Sequence, residues 1–151
     1  MKIAPVAAAL IVSVAASSCS SSDDAKPPLS DVKSATSVLV GVLYSAMNQF
    51  NASVGQNRVY NCPDGGTVEG QAGSFGSGHS QCLTCVIRDC KSAGVTVSSP
   101  AGVYYSPSQP QEVYGDVTYS GSFSFACTYK DLILSSPVSG TACGYDAHDV
   151  L

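Results

Sequence analysis

Tryptophan is absent from this chain, histidine occurs twice, and only 12% of the residues are charged. Basic residues are scarce: seven Lys and Arg stand against eleven Asp and Glu, a formal net charge of −4. Nucleic-acid binding calls for a basic stripe, so that class is excluded. The chain also lacks G-x-S-x-G, H-E-x-x-H and a Gly-rich loop followed by Lys-Ser or Lys-Thr. These are the signatures of serine hydrolases, zinc proteases and nucleotide-binding loops. The expectation is a protein that is not an enzyme, with no catalytic residue, no metal site and no cofactor.

No apolar run reaches the roughly 20 residues that a membrane-spanning helix needs. The longest, residues 3–16, contains Pro5, follows the basic start Met1-Lys2 and leads through Ala15, Ala16, Ser17 and Ser18 into Cys19. That layout is an export signal, expected over residues 1–18. Two cleavage readings compete. Val14 and Ala16 are small enough for ordinary signal peptidase to cut after Ala16. Alternatively, A-S-S-C is a relaxed lipobox with Ala16 in the place usually held by Leu, and Cys19 becomes the lipidated first residue.

Cysteine arithmetic favours lipidation. The chain has seven cysteines, which cannot all pair, and removing Cys19 leaves an even set bound for an oxidising compartment. A diacyl or triacyl anchor buries its methylenes at about 0.8 kcal/mol each, so attachment to the membrane would be effectively permanent. Ser20 stands where inner-membrane retention favours Asp, so the outer membrane of the cell envelope is the expected address. With Lys2 removed, the net charge is about −5.

Residues 19–29 read as a lipid-anchored polar tether. Residues 30–54 read as one amphipathic helix, with Ser30 as N-cap, Asp31 in the first turn, and Ala35, Val38, Leu39, Val42, Leu43, Ala46, Met47 and Phe50 forming an apolar stripe. Its polar face carries a single cation, Lys33, unlike a membrane-lying helix rich in Lys and Arg. The stripe is therefore expected to pack on a sheet of the same chain.

Residues 55–146 read as an antiparallel β domain. Residues 58–62 and 67–71 are expected as a hairpin around Asp64-Gly65, where both central residues tolerate positive φ. Residues 72–80 are expected as a loop, 81–90 as a strand in preference to a helix because Thr84, Val86 and Ile87 are β-branched, 95–99 as a strand, and 100–110 as an irregular loop. Residues 117–134 alternate as far as Lys130, with Val117, Tyr119, Phe123, Phe125, Cys127 and Tyr129 on the parity expected to be buried and Thr118, Ser120, Ser122, Ser124, Thr128 and Lys130 on the wet one. They read as one long strand bent at Gly121, with a parity change near Asp131. Residues 141–145 close the sheet, and 147–151 are an acidic tail expected to fray. The fold class is thus α+β: a long N-terminal helix on a curved antiparallel meander of about six or seven strands, stapled by disulfides.

Residues 81–91, Q-C-L-T-C-V-I-R-D-C-K, hold three cysteines and admit a redox, a metal or a disulfide reading. In a strand, Cys82 and Cys90 point one way and Cys85 the other. A redox C-x-x-C belongs at a helix N-terminus, and a zinc site needs a second ligand pair at similar spacing. Structural disulfides are the remaining reading. His79 beside Cys82 could be drawn as a thiol and base, and Asp146, His148 and Asp149 as a weak metal site, but both histidines read as solvated. Tyr104, Tyr105 and Tyr114 could present an aromatic surface to a glycan or a protein partner.

The run Cys62-Pro63-Asp64-Gly65-Gly66-Thr67, the Arg88-Asp89-Cys90 strand end, Tyr119-Ser120-Gly121-Ser122-Phe123 and Cys143-Gly144-Tyr145-Asp146 together resemble secreted bacterial lipoproteins common in deltaproteobacteria and myxobacteria. The resemblance covers residues 58–146 and rests on turns and cysteines. It implies an antiparallel β domain behind a lipid anchor, implies that Cys62 pairs with Cys90, and transfers no catalytic residue. Among Cys82, Cys85, Cys127 and Cys143 the pairing stays open, with Cys85–Cys127 a candidate on buried parity that leaves Cys82 for Cys143.

The functional expectation is a non-enzymatic envelope lipoprotein with a structural or interaction role. A binder of an apolar or glycan ligand between helix and sheet is the alternative. A thiol-disulfide oxidoreductase using Cys82 and Cys85 is the second alternative.

Overall fold

The computed structural model describes residues 25–50, 57–75, 79–107 and 110–151, the stretch 71–83 by its backbone only. Helix α1 (Leu29–Phe50) is followed by β1 (Asn57–Asn61), β2 (Thr67–Phe75), β3 (His79–Ser92), β4 (Val95–Ser106), β5 (Glu112–Gly121), β6 (Phe125–Ile133), β7 (Ser139–Ala142), β8 (Tyr145–Asp146) and a short α2 (Ala147–Val150). The strands form one eight-stranded sheet in sequence order, every neighbour antiparallel. This is the α+β class expected, with one long helix and a meander, but the sheet has eight strands instead of about six or seven, because residues 117–134 divide between two strands. Among the described residues no helix is long and apolar enough to cross a membrane.

The apolar spacing of α1 does what it predicts. Val32, Ala35, Leu39, Val42, Leu43, Ala46, Met47 and Phe50 are all buried, while Val38 is half-buried. Each large side chain so buried contributes about 1.5–3 kcal/mol. The stripe lies over β1 to β4 and touches α2. The helix start differs from expectation: the Pro28 carbonyl accepts the N–H groups of Asp31 and Val32 at 3.0 and 3.1 Å. Ser30 therefore lies inside the first turn and is not the cap. Proline can precede the turn because its missing N–H would have no helical partner there.

Between β1 and β2 the chain turns through residues 62–66, and the positive φ values fall on Gly65 (114°) and Gly66 (79°), not on Asp64. The loop docks on β3: the Gly65 carbonyl accepts from Lys91 N–H at 2.8 Å, and Asp64 N–H donates to the Lys91 carbonyl at 3.3 Å. A Cβ on Gly66 would lie 2.0 Å from the Asp89 carbonyl oxygen. The approach is possible only because that side chain is absent.

Residues 72–80 are not one loop, because β2 continues to Phe75 and β3 begins at His79. Residues 100–106 likewise belong to β4. Ser98 pairs with Thr118 and Tyr104 with Tyr114, so four residues of β5 span six of β4. The two extra residues form a bulge that accommodates the exposed Pro100, which can give no ladder hydrogen bond. The tail expected to fray instead forms α2, with Ala147 and Val150 buried and the Asp146 carboxylate accepting His148 N–H at 2.9 Å.

The long alternating stretch 117–134 is two strands, not one. Tyr119 pairs with Phe125, and residues 120–124 fold the chain back. Five intervening residues preserve parity, so the alternation runs through the corner without a break. Gly121 marks it, with φ 107° and the Gly94 carbonyl 2.4 Å from where its Cβ would stand. The parity change near Asp131 is present: Asp131 has φ 45°, and Tyr129 and Leu132 are both buried.

Three hydroxyls tie helix to sheet inside the core. Thr36 Oγ1 lies 3.1 Å from Tyr129 OH, which lies 2.7 Å from Tyr119 OH. All three residues are buried. Hydroxyls both donate and accept, so a chain of three is satisfied without water. Burial pushes the Tyr119 phenol well above its usual value near 10, reinforced by Tyr129 beside it. The Tyr129 phenol is also raised by burial, against the opposing effect of hydrogen bonds with Thr36 and Tyr119.

Two tests follow from this architecture. Gly66→Ala is expected to lower stability by more than about 2 kcal/mol, through positive φ and backbone overlap. Gly41→Ala, in open space on α1, should raise it by about 0.5–1 kcal/mol; urea unfolding curves measure both. In the second test, tyrosines whose folded pKa is raised bind protons that the unfolded chain releases above pH about 10. Stability is then fully present below that pH and falls as pH rises toward the folded values. Tyrosinate absorbance should show Tyr119 and Tyr129 titrating only as the fold is lost, and a Tyr119→Phe, Tyr129→Phe chain whose alkaline titration is unchanged from the parent would refute this.

Candidate functional site

The cysteines were the first candidates, and the structure assigns most of them. Cys62 and Cys90 form a disulfide across 28 residues, as the resemblance implies. Cys127 pairs with Cys143, 16 residues on. This replaces both the Cys85–Cys127 and the Cys82–Cys143 pairings. The reason lies in β7: it returns alongside β6, with Ala142 opposite Tyr129, and Cys143 follows at the tight turn into β8. Cys85 is likewise disulfide-bonded and fully buried. Cys19 and the Cys82 side chain lie outside the described residues.

Strand parity places Cys85 and Cys90 on opposite faces, yet both are buried. A bulge explains this. Ile87 pairs with Ser99 and Cys90 with Val97, three residues against two, and Asp89 takes φ 46°. The extra residue turns Cys90 inward, where it meets Cys62 beneath the 62–66 loop.

The other candidates do not converge. His79 lies in β3 with its side chain outside the described residues. His148 is exposed on α2, and its neighbour Asp146 serves as the helix cap. Among the described residues no group of three His, Cys, Asp or Glu is placed to hold a metal ion. The tyrosines divide between the faces. Tyr105 is fully buried, its hydroxyl accepting from Gln111 Nε2 at 2.9 Å. Tyr104 pairs across the outer face with Tyr114, which is 53% exposed. Burial, with Glu112 nearby, raises the Tyr104 phenol. The space between helix and sheet, where a ligand was envisaged, is filled by Leu39, Leu43, Met47, Phe50, Val97 and Tyr105, all fully buried.

Two surface features are more open. An apolar groove of about 440 Å³ runs along the outer side of α1, between Val40, Gly41 and Tyr44 and the C-terminal Val150 and Leu151. The second is a cleft of about 610 Å³ at the far end of the sheet. Residues 25–27 form a strap along one side of it. Tyr145 OH donates to the Pro27 carbonyl at 2.8 Å, and Lys26 Nζ lies 3.4 Å above the Tyr145 ring, a cation–π contact. Phe125, Thr128, Lys130 and Thr141 line the facing wall. Lys130 and Thr141 are cross-strand partners, so their side chains share the outer face.

Sequence reading placed Thr128 and Lys130 on the wet parity but had no means to bring the tether to them. That juxtaposition depends on Tyr145, 118 residues from Pro27. Comparison with protein-family models, with characterised proteins and with solved structures finds no match to this chain.

The two bridges are expected to differ in worth by loop length. Replacing Cys62 and Cys90 with Ala should cost about 3.5 kcal/mol, and replacing Cys127 and Cys143 about 3 kcal/mol, by the chain-entropy relation. Denaturant unfolding of the two double variants tests this. A loss below about 1 kcal/mol in either would show that the bridge does not constrain the chain.

Proposed function

We propose that this protein is a non-enzymatic lipoprotein of the cell envelope, anchored through Cys19, whose disulfide-stapled β domain has a structural or interaction role. The observation that carries the reading is that all five described cysteines are disulfide-bonded. Such bonds persist in oxidising, extracytoplasmic compartments and are rare where glutathione keeps thiols reduced. The remaining cysteine whose position in the sequence has a separate explanation is Cys19, at the end of the export signal.

The oxidoreductase alternative has weaker support. Thiol-disulfide exchange needs an accessible sulfur, whereas Cys85 is fully buried in a strand. No helix N-terminus precedes it to stabilise a thiolate, because residues 79–92 are β3. For an anchored domain, the strap provides the connection: within residues 19–29, Lys26 and Pro27 are held against Tyr145 of β8, the first of them seven residues beyond Cys19.

Intact-mass and peptide mass spectrometry of the mature protein tests the proposal. The expected result is an N-terminal Cys19 carrying a diacyl or triacyl group, with the other six cysteines unreactive toward iodoacetamide until reduced. A chain cut after Ala16 with unmodified Cys19, or free alkylatable Cys82 and Cys85, would overturn it.

A further inference from the structure

The strap cleft is a cationic concavity in an acidic molecule. The chain carries seven Lys and Arg against eleven Asp and Glu, yet among the described residues the cleft is lined by Lys26 and Lys130 and by no carboxylate. Like charges in one concavity repel. Lys26 is already held over the Tyr145 ring, and Lys130 is exposed on β6.

The carboxylates nearest in register stand behind the lining and each accept a hydrogen bond within the fold. Asp116 accepts from Thr128 Oγ1 at 2.6 Å, and Asp146, opposite Thr141, caps α2. Thr141, the cross-strand partner of Lys130, adds a hydroxyl to the wall facing the strap.

We propose that this cleft is a phosphate-binding site, with Lys26 and Lys130 sharing the charge of the oxyanion and Thr141 donating a hydrogen bond to it. Lysine ammonium groups bind phosphate as compact point charges with three rotatable donors each. A planar carboxylate is better matched by the arginine fork, which is absent from the cleft. Two lysines approaching from opposite walls suit a tetrahedral group carrying one to two negative charges. The phosphate can belong to a free phosphorylated small molecule or to a phospholipid headgroup. The shared chemistry is the same, and because Ala25 and Lys26 line the cleft only six or seven residues from Cys19, a headgroup at the membrane surface lies within about 25 Å of extended chain. The site itself stands on the lysines and does not depend on lipidation.

The test is an NMR titration of the mature chain, following the backbone amides of Thr128, Lys130 and Thr141. The probes are inorganic phosphate, glycerol 1-phosphate, and vesicles of phosphatidylglycerol or of phosphatidylcholine. Saturable shifts at these three amides are expected, weakened about fivefold by Lys130→Gln and again by Lys26→Gln. Lys33→Gln on α1 should change nothing. Response to the soluble phosphates alone assigns a free ligand, and binding of phosphatidylglycerol vesicles over phosphatidylcholine assigns a headgroup. Absence of shifts, shifts undiminished in Lys130→Gln, or equal shifts from chloride at matched ionic strength would overturn the site. Mass spectrometry of Cys19 reads out the anchor separately, so loss of one result leaves the other standing.

Discussion

A single-layer sheet has two faces and must hide one of them, and in this molecule α1 is the only long helix among the described residues that can do so. Everything else depends on that contact. The meander brings strands to the helix in sequence order, β1 to β4 along its length. Thr36 reaches a hydroxyl on β6. One helix thus serves strands from both halves of the sheet, and the buried hydroxyl chain of Thr36, Tyr129 and Tyr119 fixes its position. Apolar contact alone tolerates sliding, whereas unsatisfied buried hydroxyls would cost about 1–3 kcal/mol each.

The disulfides secure turns toward both ends of the strand order. Cys62–Cys90 ties the β1–β2 turn to β3, where the backbone approaches too closely for any side chain on Gly66. Cys127–Cys143 ties the short β7–β8 turn to β6. Strands of four and two residues make few ladder bonds, and an isolated two-stranded ribbon of that length is marginal in water. A covalent link of about 3 kcal/mol is comparable to what such a hairpin lacks.

How much of this was legible in the sequence depends on how each signal is generated. The helix announced itself because its period is maintained by the side chains that fold it: Leu39, Leu43, Met47 and Phe50 have no other face to show. Strand alternation is weaker evidence, since a hairpin with five residues in its bend keeps the same parity on both arms. Residues 117–134 therefore looked like one strand. Conversely, bulges break parity where the strand continues, as at Asp89, and the side of Cys90 was misassigned for that reason. The turn at residues 62–66 was visible as Asp-Gly-Gly, but which residues take positive φ was decided by docking against Asp89 and Lys91, which are distant in sequence. Pairings of Cys127 and of Lys26 with their neighbours follow from the path of β7 and β8, and no local pattern encodes that path.

The first residues of the described chain are held at β8, and this gives the strap its mechanical meaning. Tyr145 uses both of its chemical ends on the same short segment, its ring beneath Lys26 and its hydroxyl on the Pro27 carbonyl. A tether fastened in this way does not lead out from the helix axis but from the β6–β8 end of the sheet. Were Cys19 anchored in a bilayer, six residues of extended chain would span about 20 Å, roughly two Debye lengths at physiological ionic strength. The end of the sheet carrying Lys26 and Lys130 would then face the surface, and exposed Tyr114, paired with half-buried Tyr104, would remain available to the medium. A freely pivoting tether would impose no such order, because every face of the domain would sample the membrane equally. In a chain anchored at Cys19, a strap fastened at residues 25–27 would convert a chain connection into an orientation.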